Sequence, residues 1–336
     1  MIEIRENISL KPYHTFHMDV YARYFAEYDT LADLKELLSS PVLKDNRFIH
    51  IGSGSNLLFT GNYNGVVLHS RMDSVECTDA PDDVVYVRAE SGVVWDRLVE
   101  YCVAQGLGGI ENLSGIPGEV GASAIQNIGA YGVEVKDVIH SVNCLDVRTL
   151  QERVFDNAEC GYSYRSSVFK RELKGKYIVT SVEYALHRHP VFKLEYGNLR
   201  TVLGDAPVSP ASVRNAVIAI RNRKLPDPDV VGNAGSFFVN PVVGMELYSK
   251  LAMQYPDMPS YPAGEGKVKL SAAWLIDHAG GHGKKVGGAA VYPKQCLVLV
   301  NENNASPGDV AALAELIRSS VYDKYGVNLV PEVNFI

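Results

Sequence analysis

The sequence predicts a mixed α/β protein that divides into two or three domains. Its 336 residues, 46% of them hydrophobic, can bury a large core, and chains of this length usually form more than one domain. Segments with helical periodicity alternate with segments in which apolar and polar residues alternate, as in half-buried strands. After residue 204 a helix-like segment is followed by a segment rich in Pro, Gly and Asp, so we place a domain boundary near residue 225.

Helices are predicted where apolar residues recur at spacings of three and four. Residues 31–39 and 93–105 have this periodicity. One face of the second segment carries Trp95, Leu98, Val99 and Cys102. Residues 209–224 form a third helix with a serine cap, and the last helix begins at Ser306, which has capping-box spacing to Asp309.

Strands are predicted between these helices and at the end of the chain. The strand-like segments are RFIHIG (47–52), GVVLH (65–69), VVYVRAE (84–90), HSVNCLDV (140–147), KYIVTSVEYAL (176–186) and the tail VNLVPEVNFI (327–336). The tail is short, and it could pack on either domain.

Charge and cysteine content exclude several classes of protein. A net charge of −7 gives no general affinity for nucleic acid or an anionic membrane, so an anionic ligand needs a local basic pocket. No apolar run approaches the roughly 18 residues of a membrane span, and the N-terminal residues do not resemble a signal peptide. The five cysteines form no Cys-x-x-Cys pair, which favours reduced thiols in a cytoplasmic protein.

The segment HIGSGSNLLF (50–59) begins like a dinucleotide-binding fingerprint but does not complete it. Leu57 occupies the position of the third glycine of G-x-G-x-x-G, so a Rossmann site is disfavoured. What remains is a tight turn with exposed backbone N–H groups, which can hold a phosphate. An ordinary turn at the end of a strand is the alternative.

Other common site motifs are missing or incomplete. GGHGKK (280–285) lacks the spacing and the Ser/Thr of a Walker A loop. His278 and His282 have the spacing of a helical metal pair, but the glycines between them argue against a helix, so we expect a polar loop and no metal. Residues 232–235, Gly-Asn-Ala-Gly, are expected to form a flexible turn before Ser236. The AGSFF segment around Ser236 is not the Gly-x-Ser-x-Gly elbow of a hydrolase.

A second glycine-rich stretch, GIPGEVGASAIQNIGAYG (115–132), strengthens the case for a cofactor. Glycine and alanine let a backbone approach a ligand closely, and Gln126 and Asn127 can form directed hydrogen bonds. Close packing of a helix on a strand is the alternative. Together the two stretches favour a large phosphate-bearing cofactor.

Six long motifs follow one another along the chain. They are GSGSNLLF, IPGEVGASAIQNIGAYG, CGYSYRSSVFK, RKLPDPDVVGNAGSFFVNP, WLIDHAGGHGKKVGGAAV and PEVNFI. Over roughly residues 8 to 336 these motifs resemble, in the same order, those of the UDP-N-acetylmuramate dehydrogenase family, flavoenzymes of bacterial peptidoglycan synthesis also called UDP-N-acetylenolpyruvoylglucosamine reductases. The segment HPVFKLEYGNLR resembles the tyrosine-bearing loop of the family's longer subclass, which implies a mobile lid over the substrate.

The resemblance implies a two-part FAD-binding domain of the vanillyl-alcohol-oxidase (PCMH) type, followed by a smaller α+β substrate-binding domain. The implied parts are residues 1–70, with the tail 326–336 packing back on them, then residues 71–224, and a substrate domain of residues 225–325. It further implies a cytoplasmic enzyme, here expected to be a monomer, with non-covalent FAD, NADPH as reductant and a nucleotide-sugar substrate.

The resemblance also implies a role for Ser236, a serine for which the sequence shows no obvious activating histidine. The family uses NADPH to reduce its flavin, and flavin N5 then delivers hydride to an enol ether conjugated to a carboxylate. The reaction needs stabilisation of the resulting charge and one proton on carbon. Ser236 matches the proton donor, Arg165 the arginine that binds the carboxylate, and Glu332 the glutamate that helps to stabilise the enol. The structural alternatives are a turn serine, a surface ion pair and a solvated tail.

The remaining site residues are carried over by the same motifs. The implied substrate contacts are Tyr164, Tyr196, Lys224 and Asn240. The implied cofactor contacts are Gly52, Ser53, Gly54, Ser55, Asn56, Gly118, Gly121, Ala122, Gln126, Asn127, Gly129, Ala130 and Gly132.

This chain departs from the family pattern at two positions. It has Asn334 where relatives commonly have arginine, and His282 where they often have lysine, which puts the details of diphosphate contact in doubt. Two other functions remain open. One is a flavin-dependent oxidase of the same cofactor fold, with His50 or His69 as candidates for covalent flavin attachment. The other is a non-catalytic nucleotide-sugar binding protein.

Overall fold

The protein is described here by a computed structural model that covers residues 2–205 and 207–336. The α-helices of this part of the chain are α1 (Leu31–Ser39), α2 (Pro41–Asp45), α3 (Trp95–Ala104), α4 (Val120–Gln126), α5 (Leu199–Leu203), α6 (Pro210–Lys224), α7 (Met245–Gln254), α8 (Ala272–Ile276) and α9 (Pro307–Tyr325). Short 3₁₀ turns lie at Lys11–Tyr13, Glu111–Leu113, Val135–Asp137 and Val168–Lys170, and a π-helical turn at Asp277–Gly281 continues α8.

The strands of the described residues are mostly short. They are β1 (Ile4–Ser9), β2 (Tyr21–Tyr28), β3 (Phe48–Ile51), β4 (Leu57–Leu58), β5 (Tyr63–Ser70), β6 (Val75–Asp79), β7 (Val84–Glu90), β8 (Gly129–Ala130), β9 (Val133–Glu134), β10 (Ile139–Asp146), β11 (Glu152–Asp156), β12 (Tyr177–His187), β13 (Gly232–Ser236), β14 (Val242–Gly244), β15 (Ser260–Pro262), β16 (Lys267–Leu270), β17 (Lys285–Val286), β18 (Ala289–Val291), β19 (Val298–Asn301) and β20 (Asn334–Phe335).

The chain forms two compact units. The first unit contains the described residues of 1–8, 22–53 and 64–223, and the second contains those of 9–21, 54–63 and 224–336. The last crossing between the units falls after Arg223, beside the boundary predicted near residue 225. The finer division into residues 1–70, 71–224 and 225–325 stays a prediction.

In the first unit, α3 packs its apolar face on an antiparallel sheet. The strand order of this sheet is β11-β10-β12-β7-β6. The predicted face of α3 is confirmed, because Trp95, Leu98, Val99 and Cys102 are all fully buried in one core cluster. The indole Nε1 of Trp95 donates to the carbonyl oxygen of Leu113 at 2.9 Å, so the polar atom of this core residue is also satisfied.

A second sheet of the first unit has the order β1-β2-β5-β3 and packs against α1. Helix α1 spans the residues predicted from periodicity, and a reciprocal capping box between Thr30 and Asp33 fixes its start. Its buried residues Leu34 and Leu37 lie in one cluster with residues of β2 and β5. The local signals in this segment therefore agree with its packing.

In the second unit, α9 covers an antiparallel sheet of order β13-β19-β18-β17. The predicted capping box between Ser306 and Asp309 is confirmed, and the helix begins at Pro307. A separate antiparallel sheet has the order β14-β16-β15, and the tail strand β20 pairs in parallel with β4. Among the described residues, no helix combines the length and the apolar character that crossing a bilayer requires.

Two expectations from the sequence are wrong in detail. Residues 232–235 were expected to form a turn but belong to β13, with a register shift between Asn233 and Ser236 that makes a bulge. Gly235 has a φ of 66°, which glycine adopts without strain. In the tail only Asn334–Phe335 is a strand, because residues 327–330 have no strand geometry.

The first unit contains a histidine held between two carboxylates. His69, on β5, lies 3.1 Å through Nδ1 from Glu27 Oε1 and 3.0 Å through Nε2 from Glu119 Oε1. Burial alone would lower the pKa of His69, but the two carboxylates outweigh it, so its pKa is raised. The imidazole thus links β2 to the residue that precedes α4.

We expect His69→Gln to destabilise the protein in a pH-dependent way. Because folding raises the histidine pKa, the contribution is complete below its ordinary value of about 6.5 and is lost as pH rises through the folded-state pKa. At pH 6 the variant should lose about 2 kcal/mol of unfolding free energy, a typical value for hydrogen bonds to a charged group. At pH 9 the loss should be smaller. Urea unfolding at both pH values measures it.

His140→Gln is the matched control, because His140 is half-exposed and lies 3.8 Å from Glu183. It should change the unfolding free energy by no more than about 0.5 kcal/mol at either pH. A pH-independent loss in His69→Gln would contradict the charged bridge.

Candidate active site

The loop after β3 contains a buried hydroxyl that no protein group satisfies. Among the described residues, Ser53 Oγ is buried and has no hydrogen-bond partner. Its neighbour Gly52 lies against Glu119, where an added Cβ would come 3.0 Å from Oε2. A buried polar atom without a partner costs free energy, so this oxygen is suited to a ligand that brings a hydrogen-bonding group.

The continuation of this loop, in the second unit, is held by protein contacts. Gly54 has a φ of 64°, and an added Cβ would collide with the Tyr13 carbonyl oxygen and lie 2.6 Å from His14 Cα. Asn56 Nδ2 donates to the Glu332 carbonyl oxygen at 3.2 Å. The Asn56 carbonyl accepts from both the backbone N and the Nδ2 of Asn334, at 3.0 and 3.2 Å.

The second glycine-rich stretch surrounds α4, and its glycines also face protein atoms. An added Cβ on Gly121 would lie 2.9 Å from Ser91 Cβ, and one on Gly132 would lie 3.3 Å from Tyr196 Cβ. Asn127 adopts a left-handed conformation, and its amide donates to the Ser163 carbonyl at 2.9 Å. Packing therefore accounts for much of this pattern, and contact with a cofactor stays a prediction for these residues.

Arg165 lies over the same stretch. Tyr164 and Arg165 form the tip of a tight turn that is closed by reciprocal backbone bonds of 3.0 Å between Ser163 and Ser166. Arg165 has a φ of 54°, uncommon for a residue other than glycine. Its Nη2 donates to the Gly129 carbonyl at 2.6 Å, and an added Cβ on Gly129 would lie 2.9 Å from its Nη1.

Two cations near this segment were missed by sequence reasoning. Lys170 Nζ donates to Gln126 Oε1 at 2.7 Å and to the Arg165 carbonyl at 3.1 Å, which ties the arginine turn to the glycine-rich stretch. Its position inside the CGYSYRSSVFK motif was the available signal. Arg221, on α6, lies against Gly115, and burial lowers its pKa. Helical periodicity alone could not show that this arginine is half-buried.

The second unit brings Ser236 and Glu332 to the same place. Ser236 is exposed at the end of β13, and the next residue, Phe237, accepts a hydrogen bond at 2.8 Å from the backbone N of Glu332. One step further, the backbone N of Val239 donates to the Val330 carbonyl at 3.0 Å. These bonds hold the backbone of the predicted enol-stabilising glutamate beside the residue that follows the predicted proton donor.

Of the predicted substrate residues in the second unit, Asn240 forms a hydrogen bond with the protein and Lys224 is exposed. Asn240 accepts through Oδ1 from the backbone N of Ala272 at 2.9 Å, which uses one of the two lone pairs of this oxygen. Lys224, the last residue of α6, is exposed.

The predicted lid, in the first unit, has an anchored base and an exposed tip. Leu194 is buried against α6, and Asn112 Nδ2 donates to the carbonyls of Lys193 and Tyr131 at 2.7 and 2.9 Å. Tyr196 is 51% exposed, and its ring meets that of Tyr131 edge-on with centroids 6.5 Å apart. Any closing movement is therefore confined to the tip.

Both histidines proposed for covalent flavin attachment contact polar side chains within the first unit. His50 Nε2 lies 2.7 Å from the hydroxyl of Tyr28, and burial lowers the pKa of His50 to about 3. Both ring nitrogens of His69 contact carboxylates. This geometry argues against the covalent oxidase alternative.

The unsatisfied Ser53 hydroxyl beside a close-packed glycine-rich backbone fits the diphosphate of a dinucleotide cofactor. Residues 22–149 match the family model of an FAD binding domain, and residues 227–336 match that of the UDP-N-acetylenolpyruvoylglucosamine reductase C-terminal domain. The cofactor is therefore FAD.

Full-length relatives and a solved structure agree with these matches. The chain is 49% identical over 334 residues to the UDP-N-acetylenolpyruvoylglucosamine reductase of Bacteroides fragilis, covering 99% of this chain and 100% of that protein. It is 45% identical over 340 residues to the enzyme of the same name from Neisseria gonorrhoeae, covering 100% of this chain and 98% of that protein.

The crystal structure of UDP-N-acetylenolpyruvylglucosamine reductase from Thermus caldophilus superimposes with a TM-score of 0.70 at 23% identity, covering 100% of this chain and 99% of that one. The predicted fold class, an FAD-binding domain followed by a smaller α+β domain, is confirmed. The chain belongs to the UDP-N-acetylenolpyruvoylglucosamine reductase family.

Proposed function

We propose that this protein reduces the enolpyruvyl group of UDP-N-acetylenolpyruvoylglucosamine to give UDP-N-acetylmuramate for peptidoglycan synthesis. NADPH is the proposed reductant and FAD is bound without a covalent link. The full-length similarity to enzymes of that name supports the reaction. The structural observation that supports the proposal is the backbone pairing of Glu332 with Phe237, the residue that follows the exposed Ser236.

FAD, which Ser53 and the glycine-rich stretch 118–132 are proposed to hold, would supply a hydride for the terminal carbon of the enol ether once NADPH has reduced it. The protein must then supply a proton to the neighbouring carbon and stabilise the negative charge on the substrate carboxylate. We propose that Ser236 donates this proton. A hydroxyl is a weak acid, but an enolate carbon is basic enough to accept its proton, so no histidine partner is required.

We propose that Arg165 binds the substrate carboxylate and that Glu332 helps to stabilise the enol. A guanidinium group offers a planar fork to two carboxylate oxygens. The bonds from Arg165 to the Gly129 and Asn127 carbonyls, at 2.6 and 3.4 Å, support a fixed orientation of that fork. The bond between Asn56 and the Glu332 carbonyl supports a fixed backbone for the glutamate.

Tyr164, Tyr196, Lys224 and Asn240 are proposed to bind the nucleotide sugar. The free thiols of all five cysteines support a cytoplasmic enzyme. Because one chain carries every residue assigned here, we also propose that it acts as a monomer.

Ser53→Ala should weaken FAD binding about tenfold, the loss expected for one hydrogen bond to a charged group. The substitution removes the buried oxygen and adds no atom, whereas valine at Gly54 or Gly129 would disrupt protein packing as well as any cofactor contact. Fluorescence titration of flavin-free protein with FAD measures the affinity. Tyr325→Phe, which removes another buried hydroxyl without a partner, is the control and should bind FAD normally. Equal affinities of all three proteins would count against the Ser53 contact.

Tyr196→Phe should raise the KM for the nucleotide sugar about fivefold, because one hydrogen bond to the substrate is lost, while kcat changes little. Steady-state kinetics at saturating NADPH test this. The control Tyr261→Phe removes a comparably exposed hydroxyl, in the second unit, and should leave KM unchanged. An unchanged KM for Tyr196→Phe would argue against a lid over the substrate.

Ser236→Ala should leave reduction of the flavin by NADPH unchanged and slow its reoxidation by the enolpyruvyl substrate about 10²–10⁴-fold, the usual effect of removing a positioned acid. Anaerobic stopped-flow absorbance of the flavin separates the two steps. Ser236→Cys should recover part of the rate, because a thiol is a stronger acid. The control Ser320→Ala removes a hydroxyl that bonds only within α9. If Ser236→Ala slowed both steps equally, the serine would be a structural part of the bulge.

A further inference from the structure

Three metal-ligating side chains of the second unit point at one another. They are Asp277, at the start of the π-helical turn, His282, just after that turn, and Cys296, shortly before β19. Cys296 Sγ lies 3.6 Å from Asp277 Oδ1 and 3.8 Å from His282 Nδ1. His282 Nδ1 lies 3.9 Å from Asp277 Oδ1, so the three atoms form a nearly equilateral triangle.

The size of this triangle suits a tetrahedral metal ion. Ligand atoms about 2.0–2.3 Å from zinc, at tetrahedral angles, stand about 3.3–3.6 Å apart. The observed separations of 3.6 to 3.9 Å need to shrink by only a few tenths of an ångström. Side chains at the ends of turns can make that adjustment without moving the sheet.

We propose that Asp277, His282 and Cys296 bind a divalent transition-metal ion, with zinc the best match to the ligand set. A thiolate, an imidazole and a carboxylate are the three ligand types that zinc accepts, whereas magnesium and calcium prefer oxygen alone. Asp277 and His282 have side chains that are 51% and 59% exposed, which leaves the fourth position open to water.

The backbone geometry of the Asp277–Gly281 turn determines which nearby side chains can bind the metal ion. Gly280 has a φ of 78° inside the Asp277–Gly281 turn and breaks the helical geometry. His278 stacks on Trp274, with ring centroids 3.9 Å apart, and its Nδ1 lies 2.9 Å from the Trp274 carbonyl. The pair His278 and His282, rejected on the sequence because of the intervening glycines, is therefore not the site, and Cys296 supplies the missing ligand from another loop.

The protonation state of Cys296 must change when a metal ion binds. Burial and the neighbouring Asp277 carboxylate raise the pKa of the Cys296 thiol to about 11, so at neutral pH the thiol carries its proton. A metal ion must displace that proton to bind the sulfur, because only a thiolate is a good ligand. The dication would then balance the negative charges of the thiolate and of Asp277.

A bound ion would join three separate points of the second unit. It would connect the end of α8 to the loop that precedes the β17–β18 hairpin and to the loop that precedes β19. Zinc should therefore raise the thermal midpoint of this protein, since a ligand that binds only the folded state stabilises it.

Cobalt(II) is the probe, because tetrahedral cobalt bound to thiolate absorbs at longer wavelengths than flavin. The holoenzyme is titrated with cobalt chloride in a Cys77→Ser background, since Cys77 is an exposed thiol elsewhere. We expect one equivalent of cobalt to give the tetrahedral bands and one equivalent of zinc to abolish them. Cys296→Ala and His282→Ala should weaken binding about 100-fold or more, beyond the effect of removing a supporting residue around a metal.

His278→Gln is the matched control and should bind cobalt like the parent. Cys296→Ser provides a second test if the alanine variant loses its flavin or its circular dichroism, and it should shift the bands even if it still binds. Absence of tetrahedral bands in the parent protein, or the same bands in Cys296→Ala, would overturn the proposal. An equal loss in His278→Gln would also overturn it, because the histidine pair would then be the site.

Discussion

The second unit depends on backbone hydrogen bonds between the end of the chain and two distant segments. Asn334 and Ile336 donate to the carbonyls of Asn56 and Leu58, each at 3.0 Å, and Glu332 donates to that of Phe237 at 2.8 Å. Each bond contributes only about 1 kcal/mol, but together they fix the tail in one register. Without this register, Glu332 would not lie beside the strand that ends in Ser236, and Asn56 would lose its partners.

Features with a local cause could be predicted from the sequence. Capping boxes at α1 and α9 are set by residues three positions apart, and the buried face of α3 follows from helical spacing. The bulge before Ser236 could not be predicted in this way, because it depends on a distant part of the chain. An added Cβ on Gly232 would collide with the carbonyl oxygen of Phe16, so β13 can approach that segment only with glycine at this position. The assignment of Ser236 came from the resemblance to a family.

The glycine-rich stretches illustrate why composition cannot separate a ligand site from close packing. Glycine is needed at Gly54, Gly121 and Gly129, but at each of these positions the atoms that exclude a side chain belong to the protein. The structural sign of a ligand is instead the unsatisfied Ser53 hydroxyl. Three other described residues also carry a buried polar atom without a partner, so the Ser53 hydroxyl supports a cofactor contact only together with its place in the glycine-rich loop, whereas a small residue shows only that something lies close.

The two departures from the family pattern both have structural consequences inside the second unit. Asn334 directs its side-chain amide and its backbone N at the same Asn56 carbonyl, so this position supports the loop after Ser53 by hydrogen bonding without a charge. His282 faces Asp277 and Cys296, so a lysine replaced by histidine gains neighbours that accept a metal ion. The proposed proton transfer and carboxylate binding use neither the Asn334 nor the His282 side chain. The departures therefore change how the unit holds its own segments, and the reductase chemistry can be retained while a second kind of site is added.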